Sequence, residues 1–151
     1  MKRPSWVLLV GLAAAISAGC GHSPADGEAI DEVCTDANNH KEVSASGYLK
    51  MIAGDTLCMS DGCPFLLSPS KGEAGTDEQK MRVYFRRGDG PRQIEIAKLD
   101  NPSKDDLTFR DDDGNVFRTG DVIRVTGKIA VADSGETNSC HMMRPKSIRK
   151  L

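Results

Sequence analysis

Period-two alternation in short runs constrains this chain more than any other feature. In Met81-Arg82-Val83-Tyr84-Phe85-Arg86-Arg87, the residues Met81, Val83 and Phe85 fall on one face and Arg82, Tyr84 and Arg86 on the other. That is the signature of a half-buried strand. Val43, Ala45, Gly47, Leu49 and Met51 repeat it, and so do Ile123, Val125, Gly127, Ile129 and Val131 in the run Val122 to Asp133. Cys63-Pro64-Phe65-Leu66-Leu67 is a short apolar run. Leu107 to Asp121 reads as a hairpin turning at Asp113-Gly114-Asn115. Arg92 to Asp100 suits either a strand or a helical turn, and Cys140 to Leu151 makes a last strand. No long helix or internal repeat emerges. Five or six short strands joined by Gly- and Asp-rich turns predict an all-β domain over 42–151, a small barrel or, alternatively, a small β-sandwich.

The start of the chain sets the chemical environment. Lys2 and Arg3 precede the apolar run Trp6 to Ile16, and small residues follow up to Cys20. The run is shorter than the roughly 20 residues that a membrane-spanning helix needs, so residues 1–19 read as a secretory signal peptide. Ser17-Ala18-Gly19-Cys20 resembles the bacterial lipobox, in which the cysteine is acylated and becomes the new N-terminus; Ser17 departs from the aliphatic residue usual there. The plain alternative is ordinary cleavage nearby. The resemblance implies lipidation at Cys20. Gly21, where retention at the inner membrane calls for Asp, implies an outer-membrane, periplasm-facing location. Residues 20–41 are polar and acidic and read as a disordered tether and lead-in.

Four further cysteines, Cys34, Cys58, Cys63 and Cys140, are an even set for an oxidising compartment. Three pairings exist. Cys58 and Cys63 flank a four-residue turn containing Asp61-Gly62, which favours Cys58–Cys63 as a staple at opposed strand positions and leaves Cys34–Cys140 to tie the ends together. A redox C-x-x-C has two intervening residues, and a zinc site needs more such pairs. Without residues 1–19 the chain keeps 18 basic residues (20 less Lys2 and Arg3) against 22 acidic ones, a formal charge of −4. That balance argues against nucleic acid as a partner.

Gly120-Asp121-Val122-Ile123-Arg124-Val125-Thr126-Gly127-Lys128-Ile129, with the closing strand ending in Ile148 and Leu151, resembles the second half of the OB-fold, as found in tRNA-anticodon-like domains of exported bacterial proteins and lipoproteins. The resemblance covers 42–151 and implies a barrel in which Gly127 relieves crowding at a bend. It also makes the outer face of Met81 to Arg87 a binding platform. Arg82, Tyr84 and Arg86 on that face suit an anionic envelope partner, a protein, peptide or glycan, although a solvated strand face has the same pattern.

Other constellations carry less. Asp105, Asp106, Asp111, Asp112, Asp113 and Asp121 lack the glycine and closing glutamate of an EF-hand loop, since counting from Asp111 those places hold Val116 and Val122. Cys140-His141-Met142-Met143 with Met59 offers soft ligands, and the OB-fold of the periplasmic haem chaperone makes a metal or haem carrier using His141 the alternative function. A strand would put His141 and Met142 on opposite faces. No nucleophile motif accompanies His22, His40 or His141. The expectation is a non-enzymatic, cofactor-free binding or assembly module of the cell envelope, held to the membrane through its lipid.

Overall fold

The structure, a computed structural model, describes residues 28–52, 58, 62–72, 80–98, 102–133 and 138–151. Cys20 and the signal segment, Met59, and the tip of the loop after Asp133 lie outside the described residues. The chain is all-β. A single α-helical turn, α1 (Ile30–Val33), and a 3-10 turn (Asp36–Asn38) precede β1 (Glu42–Met51), β2 (Cys63–Ser68) and β3 (Met81–Arg87). Then follow β4 (Gln93–Ile96), β5 (Leu107–Arg110), β6 (Val116–Phe117), β7 (Val122–Lys128), β8 (Ala130–Asp133), β9 (Asn138–Met142) and β10 (Ser147–Lys150).

β1, β2 and β3 form an antiparallel meander, and β7 runs antiparallel on the other side of β1. Beyond Ile129 the chain goes on as β8, which pairs with β9, and β9 lies parallel to β3 with Arg82 beside His141. The sheet therefore comes round on itself into a barrel. Ten strands form among the described residues, more than the five or six expected. The long run Val122 to Asp133 divides at Ile129 because the backbone there bonds to the lead-in: His40 N–H donates to Ile129 O, and Ile129 N–H to Lys41 O. The final run divides around Pro145 into β9 and β10.

The ambiguous segment after Pro91 is a strand. β4, β5 and β6 make a small sheet that continues from β3 and packs under the barrel. It brings Phe109 and Phe117 against Phe65 of β2 and Phe85 of β3, so all four phenylalanines of the chain are fully buried in one cluster. Phe109 meets Phe65 and Phe85 edge-on at 4.9 Å each and stacks on Phe117 at 5.2 Å. Burying one such ring contributes about 1.5–3 kcal/mol, and each pair about 0.5–1.5 kcal/mol more.

The lead-in 28–41 is not a disordered tether but part of the domain. β2 stops pairing at Ser68 opposite Tyr48, which leaves the first half of β1 without a neighbour on that side. Glu28 fills the gap by bridging Ala45. Ile30 and Val33, one turn apart on α1, are fully buried. A Cβ on Gly47 would stand 2.7 Å from Ser68 O and 3.1 Å from Ile30 Cδ1, so glycine is what lets β2 and α1 both close on β1. Gly127 plays the expected part more loosely, with Met142 Sδ 3.0 Å from where its Cβ would be.

Both disulfides form as paired above: Cys34–Cys140, and Cys58–Cys63 with Cα atoms 4.0 Å apart. The placing of the short one differs from expectation. The β1–β2 ladder ends at Met51 opposite Phe65, and Cys58 belongs to no strand. The bridge thus sits inside the connection, at the mouth of β2, rather than across two strand positions.

Candidate functional site

Strand register builds an outward-facing row across the barrel wall. Lys50 of β1 stands beside Leu66 of β2, Leu66 beside Arg82 of β3, Arg82 beside His141 of β9, and His141 beside Ala130 of β8. Arg86 continues the same side of β3 and is exposed, as is Arg87 next to it. Among the described residues the ion pairs use Arg92, Arg110, Lys146 and Lys150, and none engages Arg82, Arg86 or Arg87.

Tyr84 does not share the exposure expected of it. Its position in the alternation is right, yet only 9% of it reaches solvent. The cause is the parallel seam: β9 adds His141, whose ring stacks on Tyr84 at 6.3 Å with a 24° interplanar angle, while Pro64 of β2 stands opposite on the other side. Tyr84 is a wall behind His141 rather than a contact surface. Desolvation by burial, and then the Arg82 charge, hold the His141 pKa below the usual 6.5.

His141 and Met142 do point to opposite sides. Met142 is fully buried against Gly127, which separates its sulfur from the His141 ring. Met59 lies outside the described residues, and among those described no three metal-ligating side chains gather. The aspartates after β5 serve structure. Asp111, 2% exposed, accepts from Asp113 N–H at 3.0 Å, Asn115 N–H at 2.8 Å, Asn115 Nδ2 at 3.1 Å and Lys150 N–H at 3.3 Å. Asp112 accepts from the Ser147 hydroxyl at 2.6 Å, and its backbone N–H donates to Ile148 O. Asp106 closes a capping box with Ser103. An open groove of about 670 Å³ beside α1, with Glu28, Glu32 and Glu42 on its walls, arises from the docking of the lead-in. Glu42 there is held by Lys146 at 3.0 Å.

Sequence reasoning missed Lys50 and the position of His141 in the row. Lys50 could be placed by the alternation of β1, but the Arg82–His141 pairing depends on a parallel register between strands more than fifty residues apart. Fold and site together define a small, disulfide-bonded β-barrel with a cationic row on its wall, in which Lys50 donates to Gly72 O and the arginines meet no carboxylate among the described residues. Comparison with protein families, curated proteins and solved structures finds no match.

Proposed function

We propose that this protein is a lipid-anchored, non-enzymatic binding module of the bacterial cell envelope, facing the periplasm from the outer membrane and holding an anionic protein, peptide or glycan on the row Arg82, Arg86, Lys50 and His141. The observation that carries the reading is that Arg82 and Arg86 meet no carboxylate among the described residues, on a wall stiffened by β2 and β9 on either side of β3. Free guanidinium groups on a rigid sheet are preorganised for carboxylate or phosphate. Two disulfides support an exported, oxidising setting. The β1–β3 meander, closed by the parallel contact of β3 with β9, supports the OB-family reading, in which these strands carry a ligand platform.

Two experiments test this. Cys20→Ala should release the protein from the membrane fraction, and a variant that still pellets with membranes as the wild type does removes the anchor from the proposal. Arg82→Ala with Arg86→Ala should abolish capture of envelope components by the immobilised protein, and wild-type capture should weaken as salt rises. Unchanged capture by the folded double variant would mean that the row is merely solvated.

A further inference from the structure

We infer that Arg82 and His141 form an oxyanion subsite whose occupation draws a proton onto His141, so that this face holds a sulfate-, phosphate- or carboxylate-bearing partner more tightly as pH falls. The inference rests on the binding reading above and adds the charge state that binding requires.

The geometry comes from the parallel seam. Arg82 and His141 are register partners on adjacent strands and point to the same side of the wall. Neighbouring strands lie about 4.8 Å apart, within the span that one tetrahedral oxyanion bridges. Tyr84 packs against one face of the imidazole, which leaves the ring edge for a ligand. A neutral imidazole offers such a ligand one N–H, and an imidazolium offers two together with a charge.

The surroundings make the proton conditional. From β3, His141 faces Arg82 and Tyr84, with Lys80 just ahead of the strand; from the β7–β8 side it faces Ala130, with Lys128 two residues before it. β9 contributes the apolar Met143 beyond it. No carboxylate stands among these described residues, so partial burial and the Arg82 charge oppose an imidazolium there. An oxyanion placed between Arg82 and His141 reverses the sign of the local field and favours the charged form. Linkage then requires the converse: whatever raises the affinity of His141 for a proton is bound more tightly when the proton is present. Each unit by which the midpoint rises is a tenfold gain in affinity on the acid side.

The test is an NMR titration of the histidine rings of the whole mature domain, in sodium sulfate and in sodium chloride at matched ionic strength. Sulfate keeps its charge through the range, so any shift belongs to the protein. The His141 midpoint should lie about one unit higher in sulfate. Sulfate affinity should be several-fold greater near pH 5.5 than near pH 7.5, approaching about tenfold only at lower pH. Arg82→Gln should lose the sulfate response, whereas His141→Gln should bind sulfate without pH dependence. A His141 midpoint equal in the two salts, or an equal rise in the Arg82→Gln variant, overturns the inference. If envelope capture nonetheless depends on Arg82 and Arg86, the binding reading survives that failure. If capture is indifferent to both arginines while sulfate still moves His141, the subsite stands and the wider reading falls.

Discussion

Replacing Cys34 and Cys140 together by alanine should cost the domain far more than replacing Cys58 and Cys63. The long bridge joins residues 106 apart in sequence and the short one residues 5 apart. On the chain-entropy account the long loop is worth about 5 kcal/mol and the short one about 2 kcal/mol, a gap of roughly 3 kcal/mol. The folded state adds to the difference. Cys34 follows directly on α1, so its bridge to β9 also keeps Ile30 and Val33 pressed into the core. Against the 5–15 kcal/mol typical of a whole domain, losing the long bridge approaches the limit of folding at about 25 °C. Urea unfolding under non-reducing conditions, followed by circular dichroism, would read the effect. At roughly 1–3 kcal/mol per molar urea, the midpoint of the Cys34→Ala/Cys140→Ala variant should lie at least about 1 M below that of Cys58→Ala/Cys63→Ala. Equal midpoints, or a greater loss from the short bridge, would refute the reasoning and show that the lead-in docks without its covalent tie.

Gly47→Ala should destabilise by about 1–3 kcal/mol because the new methyl meets the backbone oxygen of Ser68, whereas Gly127→Ala should cost less because the flexible Met142 side chain can give way; equal losses in thermal melts would undo that distinction. Asp111→Asn should cost about 1–3 kcal/mol near neutrality, because an amide NH2 in place of Oδ2 cannot accept from Asn115 Nδ2 and Lys150 N–H. Burial opposes ionisation of Asp111, but hydrogen bonds from Asn115, Lys150 and Asp113 outweigh it and hold the carboxyl below its usual 3.8. A carboxylate so depressed stabilises the fold above its unfolded value and stops doing so as pH falls through the folded one. The gap between wild type and variant in urea should therefore narrow in acid, and a constant gap would contradict the ionised role. Val83→Asp should unfold the domain by burying an unpaired charge, while Arg82→Ala with Arg86→Ala should leave the urea midpoint nearly unchanged, at about 0.5 kcal/mol or less per site.

The strands were legible because alternation and turn chemistry are local properties: β1, β3 and β7 fall where the period of two puts them, and the β5–β6 hairpin turns at Asp113-Gly114-Asn115. The disulfide pairing was legible for a similar reason, since short spacing picks one pair and leaves the other. What was not legible depends on contacts distant in sequence. Ile30 and Val33 are the only large apolar residues in the acidic stretch 20–41, so its composition is that of a tether, and their one-turn spacing is the faint sign of a buried face. The division at Ile129 follows from backbone bonds to His40 and Lys41 some ninety residues earlier. Tyr84 is polar enough to pass as exposed, and only β9, arriving in parallel register, covers it.

The Cys34–Cys140 bridge also determines how the domain bears a load. Tension entering from the N-terminal side can peel Glu28 from Ala45 and unseat α1, but it then meets a covalent link. From there the force passes straight to β9 and out towards Leu151, so nearly the whole barrel hangs as a closed loop outside the line of pull. About 350 Å of extended chain is withheld in that loop. Stretched between its ends, the oxidised protein should lengthen only by its short outer segments, and the long extension should appear only once the bond between the two sulfurs is cut.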